Sequence, residues 1–111
     1  MREEPAATRL EQLRAMLEEA PADRDLRYFL ASEYFQLERY AEALAELEEY
    51  FRSGDDEGVG YRMRGTCLFH LGRQEEARAC FQAGIEAALR HRHRDLAADI
   101  EETLAGLFPE P

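Results

Sequence analysis

The side chains of this chain that are best suited to chemistry are few, and their spacing serves chemistry badly. Arg90-His91-Arg92-His93-Arg94 is the most unusual run. Imidazole is a metal ligand and a base near neutral pH. On a helix, His91 and His93 lie two apart and point to different faces. Asp95 follows His91 by four, but two ligands do not make a metal site. The run therefore reads as a basic helix end, favourable against the C-terminal dipole, with a modest anion contact as the chemistry left to it. No metal is expected.

The other reactive types fare no better. Cys67 and Cys80 fit no CxxC or zinc spacing, and each falls within a predicted helix, so both read as reduced, partly buried thiols. No Ser is paired with a nearby His. Gly54, Gly58 and Gly60 lack the strand-to-helix context of a phosphate loop. The adjacent carboxylates Asp55-Asp56 and Glu48-Glu49 read as solvated surface. The chain is expected to be non-catalytic, with no catalytic residue and no cofactor; an enzyme of new type would have to draw on His70 or Arg62.

Composition narrows the partners. With 111 residues the chain is one domain. Its net charge of −10 argues against nucleic acid, whose phosphates need a basic stripe. The charge is uneven: residues 1–57 hold 16 acidic and 7 basic groups, whereas residues 58–111 hold 8 and 7. This acidity reads first as a solvating surface, and second as selection of a basic or neutral partner. No run reaches the roughly 18 apolar residues of a membrane span, and Met1-Arg2-Glu3-Glu4-Pro5 does not lead into a signal peptide. A cytoplasmic location is expected, without membrane contact. All 14 basic residues are Arg, which suggests a GC-rich bacterial genome.

What must position these residues is a set of helices. Apolar spacing and breaker residues predict six: about 7–20, 24–37, 40–52, 59–71, 74 to 90–93, and 94–108. Thr8 with Glu11 resembles a capping box, Asp23 or Asp25 can cap the second helix, and Gly72 suits a left-handed C-terminal cap. Nothing alternates with period two, so no strand is predicted. The connections Glu38-Arg39 and Gly72-Arg73 are short enough to make their flanking helices antiparallel neighbours. Above all, the chain nearly repeats itself after 34 residues. Leu37, Arg39, Glu42, Ala43 and Ala45 recur as Leu71, Arg73, Glu76, Ala77 and Ala79; Phe35 returns as Phe69, and Ala31 as Gly65. A period of this size marks a stack of paired helices.

The pattern resembles the tetratricopeptide repeat. In a first unit, 24–57, Leu30-Ala31 fill the Leu-small pair, Tyr34 the aromatic slot, and Ala43 and Leu47 the second-helix slots. In a second, 58–91, Tyr61, Gly65, Leu68, Ala77, Phe81 and Gly84 do the same. Leu13 and Pro21 place 7–20 as half a unit, and 94–108 would be the capping helix, all within a single domain over 7–108. Arg27, Arg64 and Tyr50 depart from the pattern. The resemblance implies an all-α, right-handed superhelical stack of antiparallel helix pairs, with about six helices.

It also implies function: binding of a protein or peptide segment on the concave face, lined here by Tyr28, Ser32, Phe35, Gln36, Arg62, Thr66, Phe69 and His70. Arg62 is the only full positive charge among them, and Phe35 with Phe69 would form a two-ring strip if exposed. The family's Lys-and-Asn grip on a C-terminal carboxylate is absent, since the chain has neither residue. The alternative is a self-assembling subunit, a possible homodimer, that pairs through the N-terminal helix or through an apolar edge at Leu96, Ile100, Leu104, Leu107 and Phe108.

Overall fold

The computed structural model describes residues 8–110; among these it contains six α-helices and no strand. They are α1 (Arg9–Glu19), α2 (Arg24–Gln36), α3 (Tyr40–Arg52), α4 (Val59–His70), α5 (Gln74–Arg90) and α6 (Arg94–Leu107). Side-chain oxygens start the first two. The Thr8 hydroxyl accepts from the Glu11 N–H, and the Asp23 carboxylate from the Leu26 N–H, both at 3.1 Å. Each satisfies a donor that the helix cannot satisfy itself. Asp23, not Asp25, is the cap of α2.

Three turns share one backbone geometry. At Leu37-Glu38-Arg39, Leu71-Gly72-Arg73 and His91-Arg92-His93 the middle residue is left-handed, with φ of 58°, 79° and 62°. In each, the third residue donates its N–H back to a carbonyl in the last turn of the preceding helix: Arg39 to Tyr34 at 2.9 Å, Arg73 to Leu68 at 2.9 Å, His93 to Ala88 at 2.8 Å. Its own carbonyl then accepts from Ala43, Ala77 or Ala97 and so opens the next helix. One residue thus closes one helix and starts another, which folds α2 onto α3, α4 onto α5 and α5 onto α6 as tight hairpins.

The hairpins stack in chain order. α1 packs on α2 and α3 on α4, while α2 touches α4 and α4 touches α6, giving a body of 61 × 29 × 22 Å. Helices α2, α4 and α6 therefore form one continuous wall. Small residues set the spacing inside the hairpins. A Cβ added to Gly65 would lie 2.8 Å from the Phe81 ring, which is fully buried. One period earlier stand Ala31 and Leu47, both fully buried. A larger ring in the second hairpin goes with a smaller residue opposite it, so that packed volume is conserved.

The departures from the repeat pattern have partners in α3. Arg27 pairs with Glu46 at 3.0 Å, and Arg64 holds Glu48 through two nitrogens at 3.0 and 3.2 Å. The apolar edge of α6 is not free. Ile100 is fully buried, Leu96 lies against Gly58, and Leu104, Leu107 and Phe108 pack on the core. Its outward side carries Asp95, Asp99, Glu101 and Glu102, all exposed. No helix among the described residues is long and apolar enough to cross a membrane.

Candidate functional site

The wall made by α2, α4 and α6 holds a cleft of about 370 Å³. From α2 it receives Tyr28, Ser32, Phe35 and Gln36, which share one helix face by spacing; from α4, Val59, Arg62, Met63 and Thr66; from α6, Thr103. Six of the eight residues that the sequence places on the inner face thus line one space. Phe69 and His70 lie outside it. The Phe69 ring meets Phe108 edge-on at 5.3 Å, and His70 stacks on Tyr40 at 4.2 Å. Phe35 is half-buried and packs edge-on against Tyr40 at 5.7 Å while still lining the cleft. Val59, Met63 and Thr103 are additions. The period alone could have suggested Val59, one helical turn from Arg62 and Met63, but Thr103 lies beyond the repeat.

The polar groups of the cleft divide in two. Thr66 donates to the Arg62 carbonyl at 2.9 Å and Thr103 to the Asp99 carbonyl at 3.0 Å, so both hydroxyl hydrogens are spent on their own helices. The side chains of Ser32, Gln36 and Arg62 and the Tyr28 hydroxyl make no hydrogen bond or ion pair with any described residue. Burial, and after it the Asp56 charge, push the Tyr28 phenol above its ordinary value against the opposing pull of Arg62. It stays protonated and can donate. The lining contains no carboxylate.

Beneath the cleft the α3–α4 loop is pinned from within. The Tyr28 ring lies 5.5 Å from that of Tyr50, and the Tyr50 hydroxyl donates to Asp56 at 2.5 Å. Asp56 is only 7% exposed, which corrects its reading as solvated. Its carboxylate also accepts the N–H groups of Gly58 at 2.6 Å and Gly60 at 3.1 Å, so a buried anion caps the start of α4. Arg24 covers the Tyr50 ring at 3.9 Å and donates to the carbonyls of Tyr50, Gly54 and Asp55. Held by three protein donors, Asp56 anchors the loop. The pair Asp56 and Gly58 ahead of α4 was the visible signal.

The histidines also differ from expectation. They sit in the third tight turn, not on a helix, so they do not diverge. Their rings are nearly parallel, 6.4 Å apart, and both reach Glu57: His93 Nε2 at 2.6 Å and His91 Nδ1 at 3.4 Å. The hydrogen bond with His93, helped by the charges of both rings, holds the Glu57 carboxyl below its usual value. No three His, Cys, Asp or Glu among the described residues come together as a metal site. Cys67 and Cys80 are unbridged and buried. Burial pushes their thiols up to about 12 and about 11, and Cys80 donates to the Tyr61 carbonyl at 3.3 Å. Neither is poised as a nucleophile.

A family model of the tetratricopeptide repeat matches residues 3–79, more than two thirds of the chain. The chain belongs to the tetratricopeptide repeat family. Proteins of this family are in general protein–protein interaction modules. The matched segment runs from the N-terminal helix into the first turns of α5; the end of that helix and all of α6 lie beyond it. No curated protein and no solved structure matches the chain. For a tetratricopeptide repeat protein, the α2–α4–α6 wall is the surface on which residues of neighbouring units converge.

Proposed function

We propose that this tetratricopeptide repeat protein is a non-catalytic adaptor. It binds a segment of a partner protein on the inner wall, with Tyr28, Ser32, Phe35, Gln36, Arg62 and Thr66 at the centre and Phe69 and His70 extending the surface. One observation carries the reading: four polar side chains with no hydrogen-bond or ion-pair partner among the described residues share a single cleft with the apolar surfaces of Phe35, Val59 and Met63. A protein surface usually satisfies or solvates its donors one by one. Unengaged donors gathered beside apolar side chains suit an extended backbone, which offers carbonyls and side chains in alternation.

The test is capture of a partner by the whole chain, with the Phe35→Ala/Gln36→Ala variant and a variant of the opposite face, Glu75→Ala/Arg78→Ala, in parallel. The partner should be lost from the first variant and kept by the second. The reverse pattern would move the site to the outer surface and overturn the reading.

A further inference from the structure

Arg62 is out of keeping with its chain. The protein carries 24 carboxylates against 14 arginines. Four other arginines that reach across to another element have found one: Arg9 with Glu33, Arg27 with Glu46, Arg64 with Glu48, and Arg90 with Asp55. Arg62 is half-buried in the cleft and pairs with none among the described residues. A guanidinium partly withdrawn from water, amid so many carboxylates, is an unfilled position. Beside it are the donors left over by the fold, namely the Tyr28 and Ser32 hydroxyls and the Gln36 amide. The Thr66 and Thr103 hydrogens are spent, so the donors that remain in the cleft are these and Arg62.

Resting on the reading above, we infer that the cleft selects a partner segment with a single acidic side chain set between apolar residues, its carboxylate paired with Arg62. The charge of the molecule excludes an acidic run. The molecule as a whole carries −10, most of it in the half that supplies α2 and α3, and a cluster of carboxylates would be repelled on approach. One carboxylate is different. The lining holds no acid, the buried Asp56 carboxylate beneath it is held by Tyr50, Gly58 and Gly60, and exposed charges beyond about 8 Å are largely screened at physiological salt. Phe35, Val59 and Met63 then receive the apolar neighbours of the acidic residue. The global charge thus rejects acidic tails, while the local cation admits one acid.

The experiment uses the full chain, labelled with ¹⁵N, and three pools of acetylated, C-terminally amidated octapeptides with Leu, Phe, Val and Ser at the variable positions. The fixed centre is one Glu, one Gln, or three consecutive Glu. The single-Glu pool should shift the Arg62 Nε–H signal together with the Ser32 and Thr66 amides, and should bind roughly ten-fold more tightly than the Gln pool, as a charge-assisted hydrogen bond would give. Arg62→Gln should erase that preference and leave the weaker Gln-pool binding in place. Equal binding of the Glu and Gln pools at these amides would overturn the inference and spare the cleft. Preference for three Glu, or a gain when the terminal amide is replaced by a free carboxylate, would overturn it as well. If no pool shifts any cleft amide, the proposed function falls with it.

Discussion

The Tyr50 hydroxyl donates to the buried carboxylate of Asp56, and this bond ties the last turn of α3 to the loop ahead of α4, whose Gly60 N–H donates to the same carboxylate. Removing the hydroxyl leaves a buried anion with one donor fewer. Tyr50→Phe should therefore lower stability by about 1–3 kcal/mol in urea denaturation. Asp56→Ala should lower it further, because the Gly58 and Gly60 N–H groups lose their acceptor too. A neutral Tyr50→Phe would show that water supplies the missing donor.

The packing of Gly65 against Phe81 makes a reciprocal prediction. Gly65→Ala alone places a methyl 2.8 Å from a ring that is fully buried, and should destabilise by about 1–3 kcal/mol. Adding Phe81→Leu reproduces the Ala31 and Leu47 combination of the first hairpin and should recover most of that loss. A double-mutant cycle measures the coupling; additive costs would mean that the two positions relax independently.

Phe35 and Phe69 occupy one repeat register but should answer differently. Phe69→Ala strips the ring that Phe108 leans on and should cost about 1–3 kcal/mol of stability, read by thermal denaturation. Phe35→Ala should cost less and should weaken the peptide pools described above. Equal stability losses with unchanged peptide binding would place both rings in the core.

High pH should weaken the fold before any acid effect does. The thiols of Cys67 and Cys80 are raised to about 12 and about 11 by burial, and the Tyr61 phenol is pushed up to about 12 by burial and by its hydrogen bond to Asp55. In the unfolded chain these groups ionise at about 8.5 to 10. Between those values the unfolded chain has released protons that the folded one keeps, so stability is intact below about pH 8.5 and declines as pH rises toward about 12. At pH 8 a chromogenic thiol reagent should react with the cysteines only as fast as the protein opens. Immediate reaction of one thiol would show a route to it in the folded state.

The helices and their pairing were legible because both follow from short-range rules that the 34-residue period repeats. Leu37 and Leu71, or Ala43 and Ala77, announce the same turn twice. What the period could not show lies where it stops. α5 has 17 residues against 13 in α3, so His91 and His93 fall in a turn instead of on a helix. Ala97, four after His93, repeats the relation of Ala43 to Arg39 and would have revealed it. Arg27 and Arg64 looked like defects because they depart from the family pattern; their partners Glu46 and Glu48 have no acidic counterpart one period later, where Cys80 and Gln82 stand, so the repeat did not reveal the pairs. Asp56 was misread because burial of a loop carboxylate depends on the fold around it, here the Tyr50 ring, Arg24 and the start of α4. In the cleft, Tyr28, Ser32, Phe35, Gln36, Arg62 and Thr66 followed from the family resemblance; Val59 and Met63 of α4 did not, and Thr103 enters from a helix that the repeat does not describe.

The exposed carboxylates of α6, Asp95, Asp99, Glu101 and Glu102, bear on how this architecture could grow. Stacked hairpins can in principle continue into fibres wherever one end of a molecule accepts the other. Here an incoming copy that approached this side would meet four exposed carboxylates, offset only at the edges by Arg94 beside Asp95 and Arg78 beside Glu101, so that added salt should ease such an approach.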